Sequence, residues 1–324
     1  MKAIVCTRLG LPEAIEYKEV TKPVPEDDQV LVEVHASSVT FSNMILVNRN
    51  MLLLRLMVGS KLMSKSRIPG TDMAGRVTEV GKDVKQFRPG DEVYGDLFGA
   101  NKGAYAEYVC APENVLALKP ANITFEEAAV VPESAIVALQ GLRGRVAKGQ
   151  KVLVIGASGG IGTFAVQIAK YYGAEVTGVC GPRNLDLVRS LGADYVIDYS
   201  KEDFTRSSQK VDLIFAARKS RSIYDIRRAL KPGGIYVSAG GPSVKRLFQE
   251  FIIGPRVFKK QGKKIAVINI SIKQEDLDFI RKLIEASKIK PVIDRSYPLS
   301  ETAEAFRYYA KGHARGKVAI TIGK

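Results

Sequence analysis

The 324-residue chain has only three cysteines, Cys6, Cys110 and Cys180, and they stand far apart. A scattered, odd-numbered set supplies neither a disulfide framework nor a C-x-x-C metal pair, so a reducing, cytoplasmic setting is predicted. No stretch approaches the roughly 18 uncharged apolar residues that a membrane helix requires. The opening "MKAIVCTRLG" also lacks the apolar core of a secretory signal. Stable membrane insertion and export are therefore not expected. Acidic residues are in deficit: 34 Asp plus Glu stand against 49 Lys plus Arg, a formal net charge of +15. Such a balance attracts polyanions, anionic cofactors or acidic membranes. The bases are scattered, with only short clusters such as "ARKSRS" and "FKKQGKK", and no nucleic-acid motif accompanies them. Nucleic acid is not an expected partner. Internal repeats and low-complexity tracts are absent.

What remains is ordinary for a globular protein, with 46% apolar and 26% charged residues. The length predicts two domains. In the first hundred residues "KAIVCTR", "QVLVEVHASSV", "AGRVTEVG", "DEVYGDL" and "AYAEYVCAP" alternate apolar and polar residues between Gly, Pro and Asp, the pattern of a β-barrel-like module. From Thr124 the period becomes helical through "TFEEAAVVPESAIVALQGLRGRV", with Thr124 and Glu127 spaced as a capping box. From Lys151 strands and helices alternate: "KVLVIGA", helix "IGTFAVQIAKYYG", "AEVTGVCG", helix "NLDLVRSLG", "DYVIDY", "VDLIFAA", helix "SIYDIRRALKPGG" and "IYVSAGG". That alternation predicts a parallel, doubly wound sheet. The closing strand, helix and strand of "IKPVIDRSYPLSETAEAFRYYAKGHARGKVAITI" are placed to return to the first module. The expected division is 1–122 with 264–324, and 123–263.

One stretch carries the most chemistry. In "VLVIGASGGIGTFAVQIAK", Gly156, Gly159, Gly160 and Gly162 lie between a strand and a helix whose apolar stripe runs Ile161, Phe164, Ala165, Ile168, Ala169. In that setting glycines permit a tight turn, let backbone approach a diphosphate and let helix pack on strand, while free N–H groups at the helix start bind the anion. A dinucleotide cofactor is the reading, with a tight turn lacking any ligand as its alternative. Chains that bind NAD usually carry Asp or Glu about 20 residues on, at the end of the second strand. Here Cys180 holds that place within "GVCGPRN". Arg183 and Asn184 follow and suit a 2′-phosphate, so NADPH is favoured over NADH.

These residues and the blocks around them resemble the medium-chain dehydrogenase/reductase superfamily, in particular its zinc-independent quinone-oxidoreductase-like branch. "PGTDMAGRVTEVGKDVKQFRPGDEVYG", "GAYAEYV", "LGADYVIDY" and "LKPGGIYV" match its blocks in order and spacing, as do the glycine turn and the C-terminal segment. The resemblance implies an α/β fold: a GroES-like β-barrel catalytic domain built from both chain ends, and a Rossmann domain binding NADPH. It places the cofactor on Ser158, Gly159, Gly160, Ile161, Gly162, Cys180, Arg183, Asn184 and Tyr199 of "VIDY", with Ala239 and Gly240 after the fifth strand. It also implies hydride transfer to a quinone or an α,β-unsaturated carbonyl, and often a homodimer. The alternatives are an alcohol dehydrogenase-like carbonyl reductase and a non-catalytic protein binding NADPH or RNA.

Departures from the family bear on the site. Where zinc relatives have Gly-His-Glu, Thr71 and Asp72 stand, and His35 and His313 read as structural, so no metal site is expected. An Asn-Pro-x-Asp stretch is replaced by Thr40, Phe41, Ser42 and Asn43, of which Thr40 and Asn43 are the catalytic candidates. A threonine of a "TAL" block becomes Val137. Arg218, Lys219 and Arg221 fall at the carboxyl edge of the sheet, suiting an acidic substrate or the cofactor phosphates, or forming a solvated basic loop. The Met-rich apolar segment 44–63 is expected to form a lid and line a pocket for a hydrophobic acceptor, with contact to a membrane interface as the alternative.

Overall fold

Strand β3 (Gln29–Val39), eleven residues long and buried along most of its length, organises the first half of the protein. Its apolar run "VLV" and small residues "ASSV" let both faces be covered. One edge pairs with β4 (Asp72–Val80); the other is shared end to end by β6 (Tyr108–Pro112) along Gln29–Glu33 and β15 (Lys317–Thr321) along Ala36–Val39, all antiparallel. The register with β4 shifts between Val34 and Ala36, which bends the strand. β5 (Glu92–Asp96), β7 (Leu116–Leu118) and β14 (Ile293–Pro298) extend this sheet, while β1 (Lys2–Cys6) and β2 (Ile15–Glu19) form a separate hairpin. These strands come from a computed structural model that describes residues 1–7, 15–47, 68–100, 103–218, 221–239 and 249–323. Most of segment 44–63, together with Lys219 and Gly240, lies outside the described residues.

The chain divides into two units, one of Met1–Ile136, Ser271–Ser287 and Pro291–Lys324, the other of Val137–Ile270 and Lys288–Lys290. In the second unit β8 (Lys151–Ile155), β9 (Glu175–Cys180), β10 (Tyr195–Asp198), β11 (Val211–Ala216), β12 (Leu230–Ser238) and β13 (Lys264–Val267) form one parallel sheet in the order β10-β9-β8-β11-β12-β13. This is the dinucleotide-binding order, whose reversal point lies beside β8. The helix Gly160–Tyr171 buries Phe164, Ala165, Ile168 and Ala169.

Three expectations need correction. The boundary set at 263/264 cuts ahead of β13, which pairs along β12 from Ile235↔Lys264 to Ser238↔Val267 and so belongs to the parallel sheet. The helix expected from Thr124 starts with the full capping box but stops at Ala129, and a second helix runs Pro132–Leu142. Pro132 has no N–H to donate and disfavours helical backbone in the residue before it, so the break falls there. For the same reason "SIYDIRRALKPGG" is helical only over Ile223–Ala229, and Leu230, two residues before Pro232, already begins β12.

Candidate functional site

β8 ends at Ile155, and Gly156 turns the chain with φ +79°, a left-handed conformation that favours glycine. Gly162 serves closeness: a Cβ there would lie 2.0 Å from the Gly156 carbonyl oxygen. Gly159 is different, since a Cβ would meet nothing nearer than that oxygen at 3.5 Å, leaving open space ahead of the helix. The first closed helical bond runs from Thr163 N–H to Gly159 C=O at 2.9 Å. The N–H groups of Gly160, Ile161 and Gly162 therefore precede the helical ladder and are directed outward from the helix start.

Beside this turn the structure gathers most of the expected cofactor residues. Asn184 Nδ2 donates to Ser158 Oγ at 3.0 Å, while Asn184 Oδ1 is buried with no partner among the described residues. Tyr199 N–H donates to Cys180 C=O, and the Tyr199 hydroxyl lies 3.2 Å from where a Gly181 Cβ would be. Arg183 is exposed in the short turn Pro182–Asn184 immediately after β9. Burial, then the charge of Asp198, pushes the Cys180 thiol up to about 11, so β9 ends on a neutral side chain. Asp198 stands opposite Cys180 in register on β10; its Oδ1 accepts from the Ser200 hydroxyl and N–H, which hold its carboxyl below the usual range. Ala239 also lies at this end of the sheet, donating its N–H to Ala216 C=O. The basic loop is split. Arg218 stands against the turn, its Cβ 2.9 Å from the position of a Gly156 Cβ, whereas Arg221 pairs with Asp203 at 3.7 Å.

In the other unit Thr40 caps the helix Phe41–Val47. Its Oγ1 accepts from Asn43 N–H at 3.2 Å, and Asn43 Oδ1 accepts from Thr40 N–H at 3.1 Å, a reciprocal box. Asn43 is fully buried and its Oδ1 also accepts from the Tyr105 hydroxyl at 2.9 Å. That oxygen is committed to the turn and to Tyr105, while the Thr40 hydroxyl, also buried, faces Thr71. Thr40 Oγ1 lies 3.3 Å from Thr71 Oγ1, which donates to Glu133 Oε2 at 3.4 Å.

Residues that the sequence reading did not select complete this cluster. Asp72 Oδ1 accepts from Glu133 N–H at 2.9 Å; its Oδ2 accepts from Ser38 Oγ at 2.6 Å and from Lys317 Nζ at 3.0 Å. Burial, then the charge of Asp72, pushes the Glu133 carboxyl up to about 6, against the opposing pull of Lys317. Burial first, then Asp72 and Glu133, holds the Asp96 carboxyl well above the usual range, and its Oδ2 has no partner among the described residues. Glu133 had a legible signal, as the one acid within the apolar run "VVPESAIVAL". Lys317 precedes the apolar run "VAI" of its strand and is 3% exposed, a charge in a core position that demands a partner.

This donor set does not fit zinc. Among the described residues no three His, Cys, Asp or Glu side chains converge as ligands. Asp72 is engaged by Lys317, and its neighbour in the block is a threonine hydroxyl. His35 stacks on Phe125 with ring centroids 4.3 Å apart, and His313 is exposed. The glycine turn does fit a dinucleotide, by its open space at Gly159 and the orphaned acceptor of Asn184.

A parallel sheet in this order, a glycine turn opening a helix and a second unit built from both chain ends define the medium-chain dehydrogenase/reductase class. Residues 26–121 match the family model of the alcohol dehydrogenase GroES-like domain, and residues 191–320 that of the zinc-binding dehydrogenases. The mouse mitochondrial NAD(P)H oxidoreductase RTN4IP1 is 32% identical, with 99% of this chain and 89% of that protein covered. The chloroplastic NADPH-dependent alkenal/one oxidoreductase of Arabidopsis thaliana is 33% identical, covering 99% and 79%. Among solved structures, the quinone oxidoreductase from Coxiella burnetii superposes with a TM-score of 0.87 at 28% identity, covering 100% and 99%. The chain belongs to this superfamily, within its quinone-oxidoreductase-like branch. No described helix is long and apolar enough to cross a membrane.

Proposed function

We propose that the protein is a zinc-independent oxidoreductase that uses NADPH to reduce a quinone or an α,β-unsaturated carbonyl. The observation that carries the reading is the turn Gly156–Gly162, where Gly159 leaves room for a diphosphate at the start of a helix. NADPH rather than NADH is supported by a second strand that ends on neutral Cys180, followed by Arg183 and flanked by Tyr199. The names of the similar proteins, alkenal/one oxidoreductase and quinone oxidoreductase, support the acceptor class.

When bound, the cofactor supplies the hydride. The residues of this chain then have distinct tasks. The N–H groups of Gly160, Ile161 and Gly162 hold the diphosphate; Asn184 Oδ1 accepts from a ribose hydroxyl; Arg183 and Tyr199 meet the 2′-phosphate; Ala239 borders the same strand ends. A conjugated acceptor that gains hydride must also gain a proton. Thr40 Oγ1 is proposed to deliver it, resupplied through Thr71 from Glu133, whose carboxyl is pushed up to about 6 by burial and Asp72. A cytoplasmic homodimer completes the reading, supported by the free cysteines and by β13 at the edge of the sheet.

The experiment is NADPH oxidation against a panel of quinones, enones and saturated ketones, with and without a chelator. Turnover of a conjugated acceptor that is indifferent to the chelator is expected. Failure of every conjugated acceptor to oxidise NADPH contradicts the proposal.

A further inference from the structure

β11, β12 and β13 begin side by side at the amino end of the parallel sheet, opposite the end that carries the glycine turn. A cavity of about 550 Å³ opens there, lined by Lys210, Arg227, Arg228 and Lys263 together with Gln261 and Pro232. Lys210 and Lys263 each stand immediately before the first residue of a strand, β11 and β13. The "FKKQGKK" run, for which the dinucleotide site has no use, supplies Gln261 and Lys263.

The charge here is not balanced. No carboxylate lines the cavity among the described residues. Arg228 pairs with Asp225, but among the described residues the polar partners of Lys210 and Lys263 are backbone carbonyls, Ser207 C=O at 2.8 Å and Arg227 C=O at 3.0 Å. Arg227 Nε is buried and has no partner among the described residues. Lys263 is 8% exposed, and burial, then Arg227 and Lys210, holds its ammonium below the usual lysine range. Gln261 is held at φ 63°, ψ 28°, a left-handed conformation that costs a non-glycine residue free energy and tends to occur where a ligand is bound.

A buried donor without an acceptor and cations without a counter-charge are each unfavourable, and a single multiply charged anion relieves both. We propose that this cavity is a second anion site that takes a small phosphate compound, such as pyrophosphate or a phosphate ester, at the end of the sheet away from the cofactor. Its volume suits a small ligand. The Arg227 guanidinium offers parallel donors to phosphate oxygens, and the two lysines add point charges. A phosphate held there ties together the starts of β11 and β13 and the helix Ile223–Ala229, so occupancy stabilises the folded unit.

The test is calorimetry and thermal melting of the full chain with sodium pyrophosphate at fixed ionic strength, with and without saturating NADPH. The expected result is one saturable site, a raised melting temperature, and an affinity within about twofold of the same value when NADPH is present. R227Q and K210Q should each weaken pyrophosphate by about tenfold or more while leaving NADPH binding intact, and K210Q, at a partly exposed position, serves if R227Q does not fold. Absence of binding, complete displacement by NADPH, an unchanged affinity in K210Q, or preference for an RNA oligonucleotide over pyrophosphate overturns the proposal. The arm without NADPH reads this site even if the cofactor assignment fails.

Discussion

Lys317 and Asp72 lie 245 positions apart in the chain and meet as a buried ion pair, Nζ to Oδ2 at 3.0 Å. β15 and β4 flank β3 on opposite edges, so the pair spans the central strand and fastens the C-terminal strand to the module made by the first hundred residues. Removing one partner leaves the other charged and buried. K317M is expected to cost about 3–5 kcal/mol, and adding D72N to recover much of it. Urea unfolding of the two variants checks this; equal losses in the single and double variants would mean that the pair is not what matters.

Glu133 sets a pH dependence. Its folded value near 6 lies above the ordinary 4.5, so between the two the native state holds the extra proton and the unfolded chain does not. Stability therefore falls as pH rises through that window, and above about 6 the full cost of about 2 kcal/mol is present. E133Q should remove that slope and raise the melting temperature at neutral pH. In the proposed proton relay the same carboxyl donates only below its pKa, so acceptor reduction should decline as pH rises through about 6 and the decline should vanish in E133Q.

The glycine turn separates fold from ligand. G162A drives a Cβ to 2.0 Å from the Gly156 carbonyl oxygen, a clash of backbone with backbone that cannot relax cheaply. Loss of about 3 kcal/mol or more, or failure to fold, is expected. Gly159 has φ −87° and ψ 173°, which alanine adopts without strain, and its Cβ meets nothing closer than 3.5 Å. G159A should fold normally and lose NADPH affinity by about tenfold or more, because the methyl would occupy the space proposed for the diphosphate. Melting curves beside cofactor titrations distinguish the two.

Much of this was legible in the chain because it is local. The parallel sheet follows from strands and helices in alternation, the capping box from Thr124 and Glu127, and the tight turn after β8 from four glycines between a strand and a helix. The polar cluster was not legible in the same way. Asp72, Glu133 and Lys317 come from three separated segments: the pairing of β4 and β15 with β3 brings Asp72 and Lys317 together, and the start of the helix Pro132–Leu142 adds Glu133. The spacing of Thr40 and Asn43 is also that of a helix cap, a role that sequence does not distinguish from chemistry. Prolines 132 and 232 mark helix ends that apolar periodicity alone runs past.

The proposed preference for NADPH rests on Arg183 and its surroundings at the end of β9. R183E places a carboxylate where the 2′-phosphate is proposed to lie and should reduce the NADPH to NADH preference in kcat/KM by about tenfold or more. Steady-state kinetics with both cofactors measures it, and an unchanged ratio would remove Arg183 from the site.

Cofactor binding itself is the most direct test. Titration of NADPH into the folded 324-residue chain by calorimetry should give one saturable site per chain, weakened in G159A and tighter for NADPH than for NADH. Absence of any heat of association with either nucleotide, from protein whose melting curve is cooperative, would contradict the account.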